Sequence, residues 1–159
     1  MLSRQLTAFA HKPMQMRVWL RFERGNTYQD RSGKPMAGVV DEPDAYAVLY
    51  RNEDAYGNKV MLDGNDVLSS PYIVGLGRLP HYYNADGTDQ LTNNPIHGVT
   101  NEWQEFVIPV EYRSEVDPTI LANKGYSLII GFASSWQGAY FKGAIGSKLL
   151  IDNVRLYCE

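Results

Sequence analysis

The chain has 159 residues, which suits one folded domain with a core of ordinary depth and no disulfide staples. Its formal charge is −3, and acidic and basic residues are mixed without a basic run, which argues against nucleic acid as the main partner. The single cysteine, Cys158, cannot form an internal disulfide. No apolar stretch approaches the roughly 20 residues of a membrane span, so we expect no membrane contact by this domain.

The elements predicted from hydrophobic patterning are all strands. The clearest is 15–24, where every second residue from Met16 to Phe22 is apolar and the residues between them are mostly charged. Five further strands are predicted at 45–51, 72–79, 102–112, 126–133 and 148–158, and shorter candidates lie near 59–62 and 140–141. Turn residues separate these runs and no segment has a helical period.

This pattern predicts an all-β fold, an antiparallel two-sheet β-sandwich of the jelly-roll type, with 1–159 as one domain. Two long loops are expected, at about 25–44 and 80–101. Long loops on a β scaffold often carry function, so ligand contacts are expected there.

Trp19 is the first candidate ligand-binding residue. Alternation places it on the polar face of its strand, between Arg17 and Arg21. Aromatic rings stack on the apolar C–H faces of sugars while charged side chains bind the hydroxyls, so these three residues together with Glu23 are a candidate sugar platform. The alternative is that a loop or a neighbouring domain covers Trp19.

Asp152 is the candidate metal ligand. It shares strand parity with Val154 and Leu156, which would place a carboxylate at the edge of the core. A buried charge needs a cation or several donors, and a structural Ca²⁺ is one solution. Hydrogen bonding to the backbone is the other, and a one-residue bulge would invert the parity and remove the argument.

Residues for catalysis are not arranged as the common mechanisms require. The three histidines, His11, His81 and His97, lack metal-ligand spacing, and there is no nucleophile motif or phosphate loop. Glu102 and Glu105 lie three apart on a predicted strand and point to opposite faces, so they cannot flank one glycosidic bond. The sequence therefore favours binding over turnover.

The segment 132–156, FASSWQGAYFKGAIGSKLLIDNVRL, resembles the C-terminal signature of the putative carbohydrate metabolism domain family, known mainly from gut Bacteroidetes. Segments 11–13, 41–50 and 102–110 also fit that family. The resemblance implies a jelly roll similar to carbohydrate-binding modules, with no catalytic residues to carry over. It also implies a structural calcium held by an aspartate of the last strand, which matches Asp152.

The resemblance further implies an exported protein, extracellular, at the cell surface or periplasmic, whose upstream region holds a signal and another domain. In the signature, Trp136 and Tyr140 would project from a loop and stack on a glycan, unless 134–138 is simply a turn. Three functions stay open: a glycan-binding module, a structural or adhesin domain packed against a partner domain, and a glycoside hydrolase. Convergence of Trp19 and Trp136 on one groove would favour the first.

Overall fold

The structure is a computed structural model that describes the backbone of residues 2–6 and all of residues 9–80 and 98–159. Most of the predicted 80–101 loop lies outside the described residues, as do His81 and His97. Within the described residues, no helix is long and apolar enough to cross a membrane.

The described strands pair in antiparallel sheets, which confirms the predicted all-β sandwich. They are β1 (Leu2–Leu6), β2 (Pro13–Glu23), β3 (Tyr28–Gln29), β4 (Asp44–Arg51), β5 (Ile73–Arg78), β6 (Gln104–Pro109), β7 (Glu111–Tyr112), β8 (Tyr126–Ala133), β9 (Gly143–Ala144) and β10 (Lys148–Cys158). One sheet has the order β1-β8-β4-β5-β7, a second has the order β10-β2-β6, and β3 pairs with β9.

The main core lies between the five-stranded and the three-stranded sheet. The apolar residues that alternate from Met16 to Phe22 on β2 are at most 2% exposed, and they pack with Ala45 and Ala47 of β4. The predicted alternation of this strand is therefore confirmed. Burial of each large side chain here contributes about 1.5–3 kcal/mol before entropy is counted.

Strand β4 is buried on both faces. Its second face carries Tyr46, Val48 and Tyr50, which pack under the connection to β5 through Leu62 and Val67. The five-stranded sheet is thus covered on its outer side by its own chain. Among the described residues, no comparable layer lies over the outer side of the three-stranded sheet.

Several sequence predictions need correction. The predicted strand 102–112 divides, because β6 pairs with β2 in the three-stranded sheet while β7 pairs with β5 in the other. The predicted strand at Tyr140 is wrong, since Gly138–Tyr140 forms one turn of 3₁₀ helix. Near 59–62 only a single bridge forms, between Glu53 and Lys59.

A short helix, α1 (Pro118–Ala122), was not predicted. Its N-cap is Asp117, whose side chain accepts hydrogen bonds from the backbone N–H groups of Thr119 and Ile120, and Pro118 occupies its first turn. An aspartate followed by proline is a known start signal. At five residues the helix is too short for its period to show in the sequence.

The expected burial of Asp152 is wrong. The pairing of β10 with β2 shifts between Asp152 and Arg155, and Asn153 adopts a left-handed conformation with φ of 54°. Leu149 and Ile151 therefore pack against the core before the bulge and Leu156 packs there after it. Asp152 is exposed and lies opposite Trp19, so the argument from buried charge no longer applies to it.

Candidate functional site

A cleft of about 540 Å³ opens at one end of the five-stranded sheet, on the side away from the main core. Three parts of the chain form it: the start of β4 with the end of β5, the segment 64–69, and the segment 133–142 that follows β8. The last of these lies within the segment 132–156, which resembles the family signature. Strand register brings the first part together, because Tyr46 pairs with Arg78 and Asp44 pairs with Ala133.

An ion pair forms the polar floor of the cleft. The Arg78 guanidinium donates through Nε and Nη2 to both carboxylate oxygens of Asp44, at 2.8–3.2 Å. The Asp44 side chain is 3% exposed and that of Arg78 is 31% exposed. A two-point contact of this kind fixes the guanidinium plane, so Arg78 presents a rigid donor group to the cleft.

Aromatic side chains line the other wall of the cleft. Trp136 is half-buried there, and its backbone N–H donates to the carbonyl of Glu42 at 2.9 Å. Tyr140 ends the 3₁₀ turn and is 65% exposed. Ser134, Gln137 and Lys142 add polar groups to the lining of the cleft. The structure thus brings the two predicted residues of this segment into one cleft.

Asp41 anchors the aromatic wall, and sequence reasoning did not single it out. This aspartate is 1% exposed, and its Oδ2 atom accepts hydrogen bonds from the Ser135 hydroxyl, the Ala144 backbone N–H and the Ser147 hydroxyl at 2.7–2.9 Å. Its backbone carbonyl accepts from Arg24 Nε. One buried carboxylate therefore ties the signature segment to the loop before β4.

The contacts around Asp41 explain why Gly143 and Ser147 occur in the signature segment. Gly143 lies so close to Ser135 that a Cβ atom added to Gly143 would be 2.6 Å from the Ser135 hydroxyl oxygen. Ser147 is needed as a donor to Asp41. Nearby, burial and then the Asp41 charge raise the pKa of Tyr28 to about 12. The spacing of serines and glycines thus reflects packing around one carboxylate.

The predicted platform residues lie elsewhere. Arg17, Trp19 and Arg21 point away from the core on the three-stranded sheet, whereas the cleft lies beyond the far side of the five-stranded sheet. Trp19 and Trp136 therefore do not converge on one groove. In the described part of the chain, the expected groove that would contain both Trp19 and Trp136 is not formed.

Metal ligands do not cluster in the described residues: no group of three or more His, Cys, Asp or Glu side chains there could hold an ion. Two exposed turns, at 30–34 and 54–58, contain aspartates whose carboxylates accept hydrogen bonds within the same turn. Asp30 accepts from Ser32 and Lys34, Asp54 accepts from Tyr56 and Asn58, and these hydrogen bonds lower the pKa of both carboxyl groups. Calcium binding at Asp152 stays a prediction without a second ligand from these residues.

Fold and site together define a β-sandwich domain with a lateral cleft that has a charged floor and an aromatic wall. The chain belongs to the family described as "Putative carbohydrate metabolism domain", which matches residues 7–157. The resemblance inferred from the signature is thereby confirmed. No match is found among curated proteins.

Two solved structures have the same fold. One, described as a putative glycoside hydrolase from Bacteroides thetaiotaomicron, is 29% identical with a TM-score of 0.79; the match covers 99% of this chain and 41% of that chain. The other, described as a putative glycoside hydrolase from Bacteroides vulgatus, is 26% identical with a TM-score of 0.75; the match covers 99% of this chain and 56% of that chain. This chain thus spans 41% of one of these proteins and 56% of the other.

Proposed function

We propose that this domain is a non-catalytic carbohydrate-binding module that holds a glycan in the cleft. The proposal rests on one observation: the fixed guanidinium of Arg78 and the exposed ring of Tyr140 line the same cleft of about 540 Å³. The family supports an association with carbohydrate metabolism.

The chemistry of the lining suits a sugar. A pyranose has apolar C–H faces and a rim of hydroxyls, so it needs a ring to stack on and fixed polar groups to bind. Tyr140 and Trp136 supply rings, while Arg78 and Lys142 donate and Gln137 both donates and accepts.

Binding is favoured over hydrolysis by the count of carboxylates. Glycoside hydrolases use two carboxyl groups about 5–9.5 Å apart across the scissile bond. Among the described residues that line the cleft, Asp44 is the one carboxylate, and Arg78 holds both of its oxygens. The descriptions of the two similar structures keep hydrolysis as the second candidate.

The proposal extends to the protein that contains this domain and to its location. We place it in a longer, exported protein, at the cell surface or in the periplasm, where polysaccharides are met and where the similar but longer chains provide a precedent for additional domains. An upstream domain of that protein would be its covalent partner and the glycan its ligand. A purely structural or adhesin role would leave the cleft without an occupant.

Calorimetric titration with a panel of soluble oligosaccharides tests the site. Tyr140→Ala should weaken binding of whichever sugar the parent binds by at least about tenfold, roughly 1.4 kcal/mol, because the stacking surface is lost. Tyr140→Phe should retain most of the affinity, and Tyr56→Ala is a matched control, since Tyr56 is 91% exposed and lies outside the cleft.

Three results would overturn the proposal. The first is equal affinity of Tyr140→Ala and the parent, and the second is binding of none of the panel by the parent. The third is release of reducing ends from the same oligosaccharides by the parent, which would establish the hydrolase candidate instead.

A further inference from the structure

The outer face of the three-stranded sheet is a second surface with unusual chemistry. We define this outer face as the side of β10, β2 and β6 that points away from the core, centred on Trp19. Strand register places Asp152 of β10 on one side of Trp19 and Glu105 of β6 on the other. Arg17 and Arg21 precede and follow Trp19 on the same side of β2.

Aromatic rings are spread along this face. Trp19 is 37% exposed, Tyr157 is 39% exposed, and Trp103, just before β6, is 44% exposed. Tyr157 pairs with Gln15, four residues from Trp19 along β2, which corresponds to about 13 Å at the usual rise of a strand. That distance exceeds one sugar ring, so a ligand that touches both rings must be a chain.

Ion pairs join five of the charged side chains of the outer face. Arg17 Nη1 lies 3.8 Å from Glu105 Oε1. Glu23 pairs with two cations: its Oε1 lies 2.7 Å from Arg21 Nη2, and its Oε2 lies 3.7 Å from Lys148 Nζ. The Arg17 guanidinium also stacks 4.9 Å from the centre of the Tyr157 ring. These contacts hold the long side chains beside the rings and leave their remaining donors and acceptors at the surface.

The balance of charge narrows the choice of ligand. The face carries four basic residues against three acidic ones: Arg17, Arg21, Lys148 and Arg155, and Glu23, Glu105 and Asp152. A polyanion such as nucleic acid selects a basic stripe, which this face lacks. The centres of protein interfaces are depleted of charge, whereas Trp19 is flanked by a carboxylate on each side.

From these observations we propose that the outer face binds a neutral polysaccharide chain lying along the sheet, at a site separate from the cleft. Trp19 and Tyr157 stack on sugar rings at different positions of the chain, and the paired charged groups exchange hydrogen bonds with its hydroxyls. The cleft and the outer face lie on opposite sides of the sandwich, so this site does not depend on the function proposed for the cleft.

Co-sedimentation with insoluble neutral polysaccharides tests the inference, using cellulose, mannan, xylan and starch as the probes. The parent should bind at least one of them, and Trp19→Ala and Tyr157→Ala should each reduce binding by about tenfold or more, equivalent to about 1.4 kcal/mol. Tyr56→Ala, in a remote turn, should bind like the parent. Binding should persist at about 1 M NaCl, where the Debye length is about 3 Å.

The variants are suited to this test because the replaced side chains are partly exposed, and circular dichroism with thermal unfolding checks that each variant is folded. Equal sedimentation of Trp19→Ala and the parent would overturn the inference, as would failure of the parent to bind all four probes. Loss of binding in Tyr140→Ala alone would assign the polysaccharide to the cleft. Self-association of the parent that Trp19→Ala abolishes would make the outer face a protein interface.

Discussion

The Ser135 hydroxyl donates a hydrogen bond to Oδ2 of Asp41 at 2.7 Å, across 94 positions of sequence. This contact fixes the residue immediately before Trp136, and Trp136 is fixed in turn by its backbone bond to Glu42. The aromatic wall of the cleft is therefore held in position by the two residues that precede Pro43. Loss of Asp41 should disturb the cleft as well as the fold.

Replacement of Asp41 tests this anchoring. Asp41→Ala leaves three donors without their acceptor in a buried site, so the free energy of unfolding should fall by about 3 kcal/mol or more. Asp41→Asn should cost less, because its amide oxygen can accept in place of Oδ2. Denaturant unfolding measures both variants, and Ser134→Ala, beside the anchored serine, is the control. Equal stability of Asp41→Ala and the parent would contradict the anchoring role.

Gly131 tests the packing beneath β4. A Cβ atom added at this position would lie 2.2–2.5 Å from two ring carbons and the hydroxyl oxygen of Tyr46, which is itself buried. Gly131→Ala should therefore destabilise the fold by about 3 kcal/mol, at the upper end of overpacking effects. Gly64→Ala, where no atom lies within 4 Å of the added carbon, should change stability by about 0.5 kcal/mol or less. Equal midpoints of thermal unfolding for Gly131→Ala and Gly64→Ala would contradict the close packing of Gly131 against Tyr46.

The bulge of β10 depends on the left-handed conformation of Asn153, with φ of 54°. A β-branched side chain is strained there, so Asn153→Val should lower the free energy of unfolding by about 1–2 kcal/mol. Asn153→Gly should be close to neutral, because glycine adopts this conformation readily. Urea titration distinguishes the two, and a neutral valine variant would mean that the strand can pair without the bulge.

Tyr28 gives the fold a dependence on alkaline pH. Burial, and secondarily the charge of Asp41, raise its pKa from the ordinary 10.0 to about 12. Between these values the unfolded chain loses the phenolic proton while the folded chain keeps it, so stability falls as pH rises through this range. Tyr28→Phe should therefore lose less stability than the parent between pH 10 and 12, as measured by urea unfolding at several pH values.

A matched substitution separates this effect from the general ionisation of tyrosines. Tyr56 is 91% exposed, so Tyr56→Phe should retain the alkaline loss of the parent. If Tyr28→Phe follows the parent over the whole range, the buried phenol does not contribute to the dependence.

The parts of the fold that could be predicted from sequence are those set by local alternation. From Met16 to Phe22 one face is buried and the other solvated, so the period of two is visible and the strand was placed correctly. The same reasoning failed at Asp152, because parity holds only as far as the bulge at Asn153. A single left-handed residue leaves little trace in hydrophobic patterning.

The candidate site was predictable only in part for a related reason. Trp136 and Tyr140 lie within one short segment, and the family resemblance drew attention to them. Asp44 and Arg78 meet through strand pairing across 34 positions, and Asp41 meets Ser147 across 106. Contacts between such distant residues follow from the topology, which no local pattern encodes.

The outer sides of the two sheets point in opposite directions, so the cleft and the outer face around Trp19 lie on opposite sides of the sandwich. A ligand in one place cannot touch a ligand in the other, so any influence between them must pass through the packed side chains of the core. A molecule lying flat against the three-stranded sheet would leave the cleft open to solvent on the far side. On the two proposals made above, one glycan chain could lie along the three-stranded sheet while a second glycan occupies the cleft.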